Sequence, residues 1–227
     1  MNPKRTPPLR KGFTLVELLV VVAIIAIIWA MILPMRNRGD RLPAGQGRCM
    51  NNLKQIGIRL IMYSEDNKQM FPWQVSTNAG GNAELNEAFT PVNIFLGLTN
   101  NLRQPHLFAC PTDKARAAAT NFDNFSNTNL SYFVSLSAVA TGDLNTSRMI
   151  LAGDRHLSVS NQPVKPGLCL VNSNSTPGWT RELHESKNLL QRGNLLFADG
   201  HVVFIRSSDL PANFNNQPIT ASRLVIP

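Results

Sequence analysis

Glu17 stands alone as the one charged group in the apolar run Phe13 to Leu33, FTLVELLVVVAIIAIIWAMIL. A carboxylate in such a run costs on the order of a few kcal/mol unless it sits near an interface or meets a cation, so it is a candidate for function. Asp199 and His201 flank Gly200 and suggest a turn, because aspartate tolerates the left-handed backbone that turns require. A calcium or zinc site there would need further ligands from Asp113, Asp154 or His184, and no metal site is expected. His184-Glu185-Ser186-Lys187-Asn188 begins like a zinc-protease helix but has Asn where the second His belongs. The chain contains neither a G-x-S-x-G elbow nor a phosphate-binding P-loop. Gly45-Gln46-Gly47-Arg48-Cys49-Met50 lacks the third glycine of a dinucleotide fingerprint and follows no strand. The three cysteines, at 49, 110 and 169, lie too far apart for a C-x-x-C metal or redox pair. Catalysis is not expected, and no cofactor is implied.

These groups need elements to place them. The run from Phe13 to Leu33 is 21 residues long and ends at Pro34. As a helix it would extend about 31 Å, close to the ~30 Å hydrocarbon thickness of a bilayer. It is too long for the apolar core of an ordinary secretory signal, and no small-residue cleavage site follows it. The expectation is a helix that stays in the membrane. Pro34, Gly39, Pro43, Gly45 and Gly47 then predict a linker over residues 35–47 that breaks the helix and acts as a hinge. Met50, Leu53, Ile56, Leu60 and Tyr63 recur at three- and four-residue steps and predict a second helix from near Arg48 to Asp66-Asn67. Thr90-Pro91 opens a short helix through Leu98. Strand candidates are Tyr132–Leu136, Arg148–Ala152, Leu157–Val159, Leu168–Val171, Asn194–Ala198 and His201–Ile205, the last two joined at Asp199-Gly200. Helices first and a mostly antiparallel sheet later read as an α+β fold, a helix packed on a sheet.

The net charge of +8 is unevenly placed. Residues 1–12 carry Lys4, Arg5, Arg10 and Lys11 with no acid, and residues 34–59 carry a further +5. From residue 60 onward basic and acidic side chains balance, so no nucleic-acid partner is expected for the body of the protein. Basic residues flank both ends of the apolar run, so charge alone does not choose a topology.

Lys11-Gly12-Phe13-Thr14-Leu15-Val16-Glu17, preceded by a short basic leader and followed by the apolar helix, resembles the type IV pilin-like family, which includes prepilins and type II secretion pseudopilins. The resemblance implies that a prepilin peptidase cuts between Gly12 and Phe13 and methylates the new amino group of Phe13. It implies that Glu17 guides assembly by attracting the amino terminus of a neighbouring subunit. It places residues 1–12 in the cytoplasm as a cleaved leader, 13–34 as a single-pass transmembrane and assembly helix in the bacterial inner membrane, and 48–227 as a periplasmic globular domain. The implied partners are other pilin-like subunits, the peptidase, inner-membrane lipid and a secretion or pilus assembly machinery.

Cys49-Met50-Asn51-Asn52-Leu53, Cys110-Pro111-Thr112-Asp113 and Asn194–His201 are similar to a bacterial subgroup labelled by a His, nine residues and Asp-Gly. Here the nearest upstream histidine is His184, with fourteen residues between it and Asp199, and Leu189 occupies the labelled position, so no role is carried to His184. The matching segments point to a Cys49–Cys110 disulfide with Cys169 as a buried thiol; three reduced, packed cysteines are the other reading. The function implied is a structural subunit of a type II secretion pseudopilus. The alternatives are a type IV pilus subunit and a membrane-tethered periplasmic binding protein.

Overall fold

The computed structural model describes residues 12–32, 44–88, 90–96, 104–140, 146–180 and 191–227. The leader through Lys11, the segment 33–43 and His184 with its neighbours lie outside the described residues. The chain divides into two units, one ending at Arg41 and one running from Leu42 to Pro227.

The described part of the first unit is helix α1, Leu15–Ile32. Its side chains, described through Ala30, are all exposed, the large apolar ones from 78% at Leu15 down to 44% at Val21. A helix that is apolar all round has no face suited to water. Among the described residues no helix is long and apolar enough to cross a membrane. The 18 residues of α1 reach about 27 Å, and in sequence the apolar run extends past them to Leu33.

The second unit opens with helix α2, Ala44–Asp66. It buries Cys49, Leu53, Ile56, Leu60 and Tyr63, a stripe at three- and four-residue steps. Met50, counted in the stripe from sequence, is only half-buried, and Cys49 takes its place. The helix also starts before Arg48, so Gly45 and Gly47 lie inside it rather than breaking it. Close packing offsets the ~1 kcal/mol cost of a helical glycine here: a Cβ on Gly45 would stand 2.5 Å from the Thr112 methyl. After Asp66 the chain turns through Lys68 and Gln69 at positive φ, and the Asn67 amide donates to the Tyr63 carbonyl.

A short helix, α3, spans Pro91–Leu96. Around it Phe95, Phe108 and Phe125 pack at ring separations of 4.8 and 5.2 Å. The strands are β1 (Tyr132–Ser135), β2 (Ile150–Asp154), β3 (Leu157–Val159), β4 (Gln162–Pro163), β5 (Gly167–Asn172), β6 (Pro177–Trp179), β7 (Arg192–Phe197), β8 (Val202–Arg206) and β9 (Ala221–Ile226), with helix α4 (Leu210–Asn215) before the last. Six form one sheet in the order β5-β9-β1-β2-β7-β8, and three form a small sheet in the order β4-β3-β6. Every strand pair is antiparallel. The α+β expectation therefore holds, while β4, β6 and β9 were not foreseen.

Side-chain alternation gives the large sheet two buried faces. Tyr132, Val134, Leu196 and Val225 face the core that contains the α2 stripe. Phe133, Leu195, Phe197, Leu224 and Ile226 face a second core closed by Trp179 of the small sheet and Phe214 of α4. A register shift between Ile150 and Ala152 sends Ile150 to the second core and both Leu151 and Ala152 to the first.

The β7–β8 hairpin forms where Asp199-Gly200 marks it, with a wider loop than a two-residue turn. Gly200 N–H donates to the Phe197 carbonyl and Phe197 N–H to the His201 carbonyl. Gly200 takes a φ of 87°, which glycine adopts without the Cβ penalty.

Candidate functional site

Helix α1 starts at a reciprocal cap. Thr14 precedes the first helical residue, and Glu17 is the third. The Glu17 N–H donates to Thr14 Oγ1 at 3.3 Å, while Thr14 N–H and Thr14 Oγ1–H both donate to Glu17 Oε2, at 2.8 and 2.9 Å. The first helical bond runs from Leu18 N–H to the Thr14 carbonyl. This is a capping box, in which each of two otherwise orphaned N–H groups donates to the other residue's side chain. It also answers part of the puzzle that Glu17 poses in sequence. The carboxylate has a local structural task, and among the described residues its Oε1 is left without a partner. Its signal in sequence is T-x-x-E before an apolar run, a local pattern distinct from the assembly role that the resemblance implies for Glu17.

Gly12 and Phe13, the residues of the expected cut, are both exposed. Nothing lies within 4 Å of the position a Cβ on Gly12 would take. The peptide between them is therefore open to an enzyme, and the box begins one residue beyond it. Cutting there removes neither Thr14 N–H nor Glu17 from the cap. Thr14→Val deletes the hydroxyl and should cost α1 about 1 kcal/mol of first-turn stability. Amide exchange at Glu17 in detergent is expected to quicken roughly fivefold; unchanged exchange would show that the box contributes nothing.

In the second unit, Cys49 and Cys110 are joined as a disulfide with Cα atoms 4.8 Å apart. The bond ties α2 to the segment 109–113. Asn52 Nδ2 donates to the Ala109 carbonyl at 3.1 Å, and Tyr132 Oη donates to the Cys49 carbonyl at 3.2 Å. Cys169 is half-buried on β5, and burial pushes its thiol pKa up, which makes it a weak nucleophile.

Beyond the disulfide, Asp113 is buried and accepts from Arg155 Nε at 2.7 Å, Arg155 Nη2 at 2.9 Å and the Ala115 N–H at 3.2 Å. His156 Nε2 lies 3.5 Å from it. Burial by itself would raise the Asp113 carboxyl, but hydrogen bonds from His156 and Arg155, and the Arg155 charge, hold it well below the usual carboxylate range. Next in the chain, Asp154 accepts from Asn194 N–H at 2.7 Å and Asn194 Nδ2 at 3.0 Å. Consecutive residues 154–156 at the end of β2 thus fasten β7 on one side and the Asp113 loop on the other. In sequence Asp113 and Asp154 offer themselves as metal ligands. Here both are acceptors for protein donors.

Asp199 and His201 are brought together: Asp199 Oδ1 accepts from His201 N–H at 3.0 Å and pairs with His201 Nδ1. The imidazole stacks on Phe197 with ring centroids 4.4 Å apart. The pair braces its own hairpin, and neither Asp113 nor Asp154 joins it. Among the described residues no three His, Cys, Asp or Glu side chains converge on a metal position.

No curated protein and no solved structure matches the chain. Residues 8–33 match the family model for the prokaryotic N-terminal methylation motif, a structural rather than a catalytic family. The match covers Gly12, Phe13, the capping box and all of α1, so the chain carries the mark of a prepilin-like substrate of a prepilin peptidase, one that assembles with other pilin-like subunits.

Proposed function

We propose that the chain is a pilin-like structural subunit of a type II secretion pseudopilus. It is made as a precursor in the bacterial inner membrane, with the leader in the cytoplasm, the run Phe13–Leu33 as a single span and the second unit in the periplasm. Prepilin peptidase cuts after Gly12, methylates Phe13, and the mature chain is drawn from the bilayer into a fibre. The observation that carries this reading is the methylation motif at residues 8–33. The all-round apolar surface of α1 supports it, because bilayer and fibre core are the two settings that cover such a surface.

The cap refines the part played by Glu17. Oε2 holds two donors at home, and Oε1 is the oxygen available to the ammonium of a neighbouring Phe13. An ammonium and a carboxylate in hydrocarbon are each expensive alone, and docking neutralises both. The box fixes the carboxylate's rotamer before docking, so less side-chain freedom is lost when the neighbour arrives. A slip of one residue would leave both charges unmatched, and the pairing thereby sets register.

Gly12→Val tests the processing step. The position is open, so a valine fits the chain and any effect falls on recognition by the peptidase. The variant co-expressed with a prepilin peptidase should keep its leader and stay in the membrane. Normal trimming of Gly12→Val would contradict the assigned cut.

A further inference from the structure

We propose that a cleft beside the Cys49–Cys110 disulfide is a binding site for a phosphate-bearing anion, either a phospholipid headgroup or a soluble phosphate compound. The cleft holds about 470 Å³. One wall is the start of α2, with Arg48, Asn51 and Asn52; the other carries His106, Lys114 and Arg116. Its floor is Ala109, Cys110 and Pro111.

The charge balance of this cleft differs from that of the rest of the second unit. Arg48 and Lys114 are exposed and make no side-chain bond among the described residues. Arg116 donates from Nε to the Leu130 carbonyl at 2.9 Å and from Nη2 to the Pro227 carbonyl at 3.0 Å. Those two bonds fix the plane of the guanidinium, and its remaining N–H groups have no partner among the described residues. Partial burial and the nearby Arg155 charge disfavour the Arg116 cation, the Asp113 carboxylate offsets them in part, and an anion in the cleft would add a further favourable charge. Asp113 also lines the cleft, but both of its oxygens are engaged by Arg155. Arg48, Lys114 and Arg116 therefore line one space, and its one carboxylate among the described residues, Asp113, is already bound by Arg155.

Planar, forked donors from arginine and a mobile ammonium from lysine are the groups that proteins use for phosphate. The volume exceeds what one inorganic phosphate fills, and the Asn51 amide, exposed at the rim, suits hydroxyls on a larger headgroup. The disulfide joins the residue after Arg48 to the floor, so it holds the two walls in register. A lipid source is within reach by chain length. Arg48 lies fifteen residues past the end of the apolar run at Leu33, and with the chain helical from Ala44 the tether is at most about 45 Å. The lipid source rests on the membrane reading of α1; the site itself does not.

The test uses the full chain in a phosphate-free maltoside detergent. Inorganic phosphate, glycerol 3-phosphate and a short-chain phosphatidylglycerol are titrated calorimetrically at fixed ionic strength, with glycerol as the uncharged control. At least one phosphate compound should bind saturably, glycerol should not, and Arg48→Gln/Lys114→Gln should weaken binding at least about tenfold with an unchanged melting temperature. Tighter binding of phosphatidylglycerol than of glycerol 3-phosphate assigns a lipid source; the reverse order assigns a soluble one. Reduction with dithiothreitol should weaken binding severalfold, and equal affinity after reduction would overturn the disulfide's part. Failure of all three compounds to saturate the site, or wild-type affinity in the double variant, would overturn the proposal.

Discussion

A Glu17→Val subunit is expected to accumulate in the membrane, to be cut after Gly12, and to be at least about tenfold depleted from sheared fibres. The magnitude follows from what the substitution removes. Each docking event would leave an ammonium on Phe13 without a counter-ion in an apolar surround, and ~1.4 kcal/mol lost per addition is already a factor of ten. Valine also abolishes the capping box, so it alone does not tell charge from helix capping. Glu17→Gln separates the two. Glutamine at this position of a box still accepts from the Thr14 N–H, and the helix start survives, while the negative charge is gone. Glu17→Gln is expected to fail in fibres nearly as completely as Glu17→Val. Methylation of Phe13 should fall in both variants while cleavage persists. Fibres of normal yield from Glu17→Gln would mean that Glu17 serves the cap and not the neighbour.

Asp113→Ala should destabilise the second unit by about 3 kcal/mol, measured by denaturant unfolding under non-reducing conditions. The cause is the partners left behind: Arg155 loses a two-point acceptor at 2.7 and 2.9 Å, and His156 loses its neighbouring carboxylate. Acid sensitivity should follow the same group. Its folded pKa is depressed, so its contribution to stability is complete above the unfolded value near pH ~4 and is lost as pH falls below that. Asp113→Asn should therefore lower stability at neutral pH and flatten the loss of stability between about pH 5 and pH 2. An unchanged acid limb in Asp113→Asn would show that other carboxylates govern acid unfolding.

Those two residues also show what a sequence reveals and what it hides. The helix stripe Leu53, Ile56, Leu60 and Tyr63 and the Asp199-Gly200 hairpin are local patterns, and folding leaves local patterns visible. Strand β9 was missed although Leu224-Val225-Ile226 is a strand-like run, because a single short run carries no word of its place between β5 and β1. Gly45 and Gly47 were read as helix breakers on propensity, and tertiary contact with Thr112 overrides that preference at Gly45. The Asp113–Arg155–His156 cluster joins residues more than forty positions apart. Spacing offers no route to it, whereas the capping box around Glu17 spans four residues and was legible throughout.

The N-terminal peptide decides whether the chain is processed as a pilin-like subunit. Full-length protein, expressed with a prepilin peptidase and digested, is to be read by tandem mass spectrometry. The expected product is a mature chain that begins at Phe13 and carries one added methyl group on its amino nitrogen. A mature chain that retains residues 1–12, or one that begins at any other residue, would contradict it.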